Sequence, residues 1–330
     1  MNIYEQQQKN KRLTWVLVII FILFFLFLGF GFDYFYLSYT KIKYTGDSEI
    51  IERNFIPFGT ITALLISIIM VINAFKNGIK MIIASTGARP ANLSNLKEKQ
   101  FYDVVEEMAI ACGIPRPQAF IISDSDLNAF ATGFTPQNSY VFITEGLLEQ
   151  LNREELQAVI AHEISHIRFY DIRLLTMITV LMNTIAIISD FIARSNRAGL
   201  RSSPSSRSSR KSSGNGIIFF IWIILIILAP IISRILAMAI SRQREYLADA
   251  GASELTRNPK ALISALEKIR KAIQPTKSIK DSIAHLCIAD PRGSLIEEKT
   301  GFLANLFATH PPMEKRILAL KLMAYEASKT

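Results

Sequence analysis

Two uninterrupted apolar runs constrain this chain more than any other feature. Leu13 to Phe32 gives 20 residues without a charge between Arg12 and Asp33, and Phe55 to Phe75 gives 21 between Arg53 and Lys76. At about 1.5 Å per residue, either run as a helix crosses a hydrocarbon layer roughly 30 Å thick. The first is too long for the core of a secretory signal and lacks a small-residue cleavage site, so it reads as a retained anchor. A purely soluble fold is excluded. Half of the 330 residues are hydrophobic, Phe alone occurring 21 times.

Two shorter runs follow, Leu174 to Ser189 and Ile217 to Ile232, each of 16 residues. As helices they reach only about 24 Å. The second extends to Ile240 if Arg234 snorkels toward a headgroup, and Pro230 can kink it. Lys9, Lys11 and Arg12 precede the first long run, and Lys76, Lys80 and Arg89 follow the second, so both ends of that hairpin face the cytoplasm. The net charge is +9, and six positive charges without any acid fall within Arg194 to Lys211. No stacking aromatics interleave them, so a membrane-adjacent loop is read in place of a nucleic-acid site. If the shorter runs span, this loop lies outside, against the charge rule. The other arrangement is a shallow hairpin with its basic loop at the inner headgroups.

Between the hairpins the residues turn polar and periodic. Lys97 to Cys112 places Phe101, Val104, Val105, Met108 and Ala111 on one face and stops at Gly113, an amphipathic helix with a glycine end. Gln118 to Ile122, Asn128 to Ala131 and Tyr140 to Thr144 are short apolar runs between turn residues, which suggests a small antiparallel sheet. The two cysteines, Cys112 and Cys287, read as reduced, cytosol-facing thiols. His285 and Cys287, two residues apart, fit packing better than metal binding.

Chemistry concentrates at His162-Glu163-Ile164-Ser165-His166. Asn152 and Glu155 form a capping pair that opens a helix, and Leu156, Val159 and Ile160 give it an apolar face. One turn apart on that helix, His162 and His166 can reach a single ion, with Glu163 beside the axis to take a proton from water. A hydrolytic zinc needs a third protein ligand. Ser241 to Asp249 offers Glu245, with Asp249 one turn on to receive the second ring proton of a ligand histidine. Read alone, that segment fits a solvated face of alternating charge better than a metal ligand.

The chain resembles the HtpX-type membrane zinc metalloproteases, relatives of the zinc CAAX prenyl proteases. The likeness runs in order through Ser85 to Arg89, Asn128 to Gly133, His162 to His166, Ser241 to Ala250 and Thr309 to Arg316. It implies a mainly α membrane protein with four hydrophobic helices, the last two spanning or shallow. A cytoplasmic α+β zincin-type (gluzincin) catalytic domain with a small antiparallel sheet completes the expected fold. It implies one zinc ion per chain on His162, His166 and Glu245, with Glu163 as general base and acid and Asp249 behind the ligands. His310 is expected beside the reacting carbonyl as an oxyanion donor, Arg316 to help hold that region, and Asn128 on an edge strand that takes substrate backbone in extended form.

The division that follows is an N-terminal transmembrane hairpin over 1–76 and a first catalytic segment over 77–173. A second hydrophobic pair with its Arg/Ser-rich loop 194–216 occupies 174–240, and a second catalytic segment 241–330. The function expected is a zinc endopeptidase of the cytoplasmic membrane, cutting cytoplasm-facing segments of membrane or misfolded proteins in quality control. Processing of lipidated C-termini, or a membrane scaffold with a structural zinc, are the other readings. No Gly-rich phosphate loop followed by Lys is present, so the chain is not expected to unfold its substrates by ATP hydrolysis.

Overall fold

Each long apolar run forms a helix that overshoots it. Helix α1 (Ile3–Phe32) begins ten residues early, because Glu5, Gln6 to Gln8 and Lys9 are good helix formers. Helix α2 (Phe58–Thr86) starts after Pro57 and continues eleven residues past Phe75. Both are long and apolar enough to cross a membrane. The computed structural model describes residues 3–34, 39–45, 48–54, 57–184, 243–271, 283–289 and 311–327. The last five residues of the third apolar run, all of the fourth, the Arg/Ser loop and His310 lie outside these.

By its contacts the chain forms two units, one from Met1–Thr14, Phe75–Val180 and Arg234–Thr330, the other from Trp15–Ala74 and Leu181–Ser233. Within the second, Asp33 caps α2: its carboxylate accepts from the Gly59 and Thr60 amides at 2.6 and 2.7 Å. A Cβ on Gly29 would stand 2.6 Å from the Gly59 carbonyl, so the glycines let the two helices approach closely. Strands β1 (Tyr39–Thr45) and β2 (Ser48–Asn54) pair antiparallel between these helices.

In the first unit, β3 (Arg89–Pro90) leads into α3 (Leu96–Cys112), which ends at Gly113 in the left-handed region, φ 69°. The expected amphipathic helix is there, one residue longer. Strands β4 (Gln118–Ile122), β5 (Ala129–Thr135) and β6 (Asn138–Thr144) complete a four-stranded sheet in the order β3-β4-β6-β5. The sheet is mixed, which corrects the antiparallel expectation: β4 and β6 run parallel, because the β5–β6 hairpin inserts its second strand beside β4. Alternate residues divide its faces. Ala129, Ala131, Val141, Ile143 and Ile121 join the core, while Phe130 stacks on Phe142 at 4.6 Å on the other side.

Helix α4 (Glu145–Gln150) leads to α5 (Arg153–Arg168), opened by the Asn152–Glu155 capping box. From Ala158 to Ile167 every residue of α5 is buried, between α3, β5 and α8 (Pro259–Lys271). The small Ala129 and Ala131 let β5 pass close beside it. Helix α6 follows over 171–184, α7 covers 243–256, a 3-10 turn spans Ala284–Leu286, and α9 (Met313–Ala327) packs on α8.

Candidate metal centre

The 3.6-residue repeat of α5 sets His162 and His166 on one face, their rings edge to face with centroids 4.8 Å apart. Helix α7 brings Glu245 to the same face. Its carboxylate oxygens lie 3.6 Å from His162 Nε2 and 3.6 Å from His166 Nε2. One donor atom from each of the three falls within 4.8 Å of the others, a set that can hold a metal ion, and all three residues are buried. The crossing that achieves this depends on Gly251, where a Cβ would stand 2.6 Å from Ser165 Oγ.

Each histidine has a carboxylate behind it. His162 Nδ1 stands 3.0 Å from Asp249 Oδ1, and His166 Nδ1 stands 3.0 Å from Asp171 Oδ2. Such partners fix the tautomer that leaves Nε2 free for a metal. Burial opposes a charge on His162, but Asp249 and Glu245 outweigh it and push the imidazole up to about 9. Burial also works against Asp249, yet Arg316 and His162 hold its carboxyl below the ordinary range. The Arg316 guanidinium is fully buried and clasps Asp249 in two hydrogen bonds, Nε to Oδ2 at 2.9 Å and Nη2 to Oδ1 at 2.7 Å. Its Nη1 donates to the Ile288 carbonyl at 2.8 Å and lies 3.2 Å from Glu245 Oε2.

Glu163 is buried, its carboxylate facing the Ala131 backbone amide of β5 and making no well-aligned hydrogen bond among the described residues. Burial pushes its carboxyl up, against the pull of the two imidazoles. Asn128 lies just ahead of β5, the edge strand. Its Nδ2 donates to the Ala289 carbonyl at 3.1 Å. Odd-numbered residues of β5 turn their backbone groups outward: Ala129 O accepts from Ile288 N at 2.9 Å, and Gly133 N donates to Thr176 Oγ1 at 3.0 Å. Ala131 lies between these two capped positions.

Of the residues expected from sequence, His162, Glu163, His166, Glu245, Asp249 and Arg316 lie together, Asn128 lies at the start of β5 against Ala289, and His310 lies outside the described residues. Three others were not anticipated. Asp171 follows His166 by five residues, beyond the end of α5, where helical spacing gives no hint. Arg244, next to Glu245, is buried with none of its three nitrogens hydrogen-bonded among the described residues, and its Nε lies 3.8 Å from Asp171 Oδ1. Asn10, at the far end of the sequence, donates to Asp171.

Fold and site together define the class, a metallopeptidase carried on membrane-capable helices. The chain belongs to peptidase family M48, whose family model matches residues 95–324. Over 322 residues it is 40% identical to the "Protease HtpX homolog" of Dictyoglomus turgidum, an alignment covering 97% of this chain and 94% of that one. A protein of the same description from Streptococcus pneumoniae is 37% identical, with 97% and 100% covered. That from Thermoanaerobacter pseudethanolicus is 44% identical over 251 residues, 75% of this chain and 79% of the relative. The crystal structure of Ste24p from S. mikatae aligns at 19% identity and a TM-score of 0.46, covering 78% of this chain and 57% of that one.

Proposed function

We propose that the chain is a zinc endopeptidase of the cytoplasmic membrane, with the metal on His162, His166 and Glu245. The observation that carries this is a spacing. Two nitrogens each about 2.0–2.1 Å from a tetrahedral zinc stand about 3.3 Å apart, and His162 Nε2 and His166 Nε2 are 3.3 Å apart. Two imidazoles and one carboxylate leave the fourth position that hydrolysis needs. A zinc ion there would lower the pKa of water and polarise a peptide carbonyl.

The chain's own residues supply the rest. Glu163, its carboxyl raised by burial, takes the proton of the attacking water. As the C–N bond breaks, it returns that proton to the leaving amine. Asp249 and Asp171 hold the two imidazoles, and Arg316 holds Asp249. His310 is assigned the oxyanion donor on the family resemblance. An extended substrate adds its backbone to the outer edge of β5 at Ala131, beside Asn128. Main-chain recognition suits varied sequences, hence damaged or misfolded membrane proteins as substrates.

Purified protein tests this directly. Wild type and Glu163→Gln should each carry one zinc per chain, while cleavage of an unfolded protein falls by at least about 100-fold in the variant. Undiminished cleavage by Glu163→Gln would overturn the proposal.

A further inference from the structure

The C-terminal end of α5 is gripped by the first turns of α1. The last carbonyls of a helix have no partner within it. Here Arg168 O accepts from Gln7 Nε2 at 2.7 Å, and Phe169 O accepts from Asn10 Nδ2 at 2.9 Å. The turn then passes through Tyr170 at φ 61°, a left-handed conformation that a tyrosine adopts only under outside constraint. Lys11 Nζ stands 4.1 Å above that ring. Asp171 follows, and Asn10 Nδ2 donates to its Oδ1 at 2.6 Å. Its other oxygen, Oδ2, faces His166 Nδ1 at 3.0 Å.

We propose that Asn10 is a positioning residue for the metal site, orienting the Asp171 carboxylate that in turn orients His166. The chemistry favours this over a simple seal on the turn. An amide has two N–H groups, and both are spent on acceptors of one turn, one of them the carboxylate behind a ligand. The opposite atom, Asn10 Oδ1, is buried without a partner among the described residues, an arrangement that packing alone would not select. Arg244, at 3.8 Å, is too distant to fix Asp171 by a hydrogen bond. Partners behind ligand histidines typically govern metal affinity about 10- to 100-fold. The start of the first apolar helix is then part of the metal site's support as well as an anchor.

This inference rests on the zinc reading above, and one experiment separates the two. Full-length wild type, Asn10→Leu, Asp171→Asn and the double variant are purified in detergent. Zinc dissociation constants come from chelator competition, the visible spectrum from cobalt-substituted protein, and the unfolding temperature from the metal-free form. Asn10→Leu should weaken zinc about 10-fold and alter the cobalt bands. The double variant should bind no more weakly than Asp171→Asn alone, because both act through one carboxylate. A lowered unfolding temperature with unchanged zinc affinity and spectrum would overturn the inference, as would losses that multiply in the double variant. Wild type that binds no zinc would overturn the zinc reading itself. Should Asn10→Leu fail to fold, Asn10→Ser, too short to reach Asp171, takes its place with the same expected result.

Discussion

Asp249 serves two partners at once, the His162 imidazole and the Arg316 guanidinium, and all three are buried. Removing its charge has two separable effects. The imidazole loses the partner that contributes most to raising its pKa, and Arg316 is left without its clasp. Asp249→Asn should therefore weaken zinc about 10- to 100-fold and destabilise the metal-free protein by about 3 kcal/mol, read by chelator competition and thermal unfolding. Unchanged zinc affinity would mean that His162 is oriented by something else. His162, Glu163 and His166 were legible in the sequence because they lie within one helix, where a four-residue interval is a shared face, whereas Glu245 and Asp249, at the same interval, needed the family resemblance to stand out from a solvated face. Arg316 and Asp249 are 67 positions apart, and Asn10 and Asp171 are 161 apart. No local period encodes such pairs, so Asn10 and Asp171 were missed and Arg316 was picked out only through family resemblance.

At the scale of elements, α5 is held at both ends. Its start is fastened by Glu155, which closes the capping box, accepts from Ser264 Oγ at 2.6 Å and pairs with Lys268 at 2.6 Å on α8. Burial works against this carboxylate, but Lys268, Ser264 and the Asn152 amide outweigh it and lower its pKa. A depressed folded value means stability that is complete above the unfolded pKa, about 4.3, and lost as pH falls through the folded one. Glu155→Gln should cost about 2 kcal/mol at pH 7, and the gap from wild type in thermal unfolding should close as pH falls below about 4. A gap that persists at low pH would show that charge is not its origin.

The sheet makes the complementary case. Its strands were legible from turn residues and β-rich runs, but the parallel β4–β6 pairing was not, since strand order depends on how distant segments pack. The same pairing leaves β5 at the edge. At Ala131 the outward N–H belongs to no ladder within the sheet, so a proline there leaves the ladder whole, while also removing the amide that faces Glu163. Ala131→Pro should reduce kcat/KM on an unfolded substrate at least about 10-fold while zinc content holds, if substrate adds to this edge. Undisturbed cleavage would exclude β5 as the substrate strand.

For the whole molecule, the meeting of α5 and α7 constrains the path of the chain between them. His162, His166 and Glu245 share one site, so a chain that leaves one side of a bilayer after α5 must be back on that side by α7. The side is then set by the first hairpin. Under the proposed function, the charge rule applied to Lys9, Lys11 and Arg12 at its start and Lys76 and Lys80 on α2 predicts that its ends, and with them the site, face the cytoplasm. Ile110 reports on this, being 74% exposed on the side of α3 away from Phe101 and Val104. In a background with Cys112→Ser and Cys287→Ser, Ile110→Cys should react with a membrane-impermeant maleimide only after the cells are lysed. Labelling of intact cells would put the metal site on the outer face, and substrates would then have to be sought among exported segments.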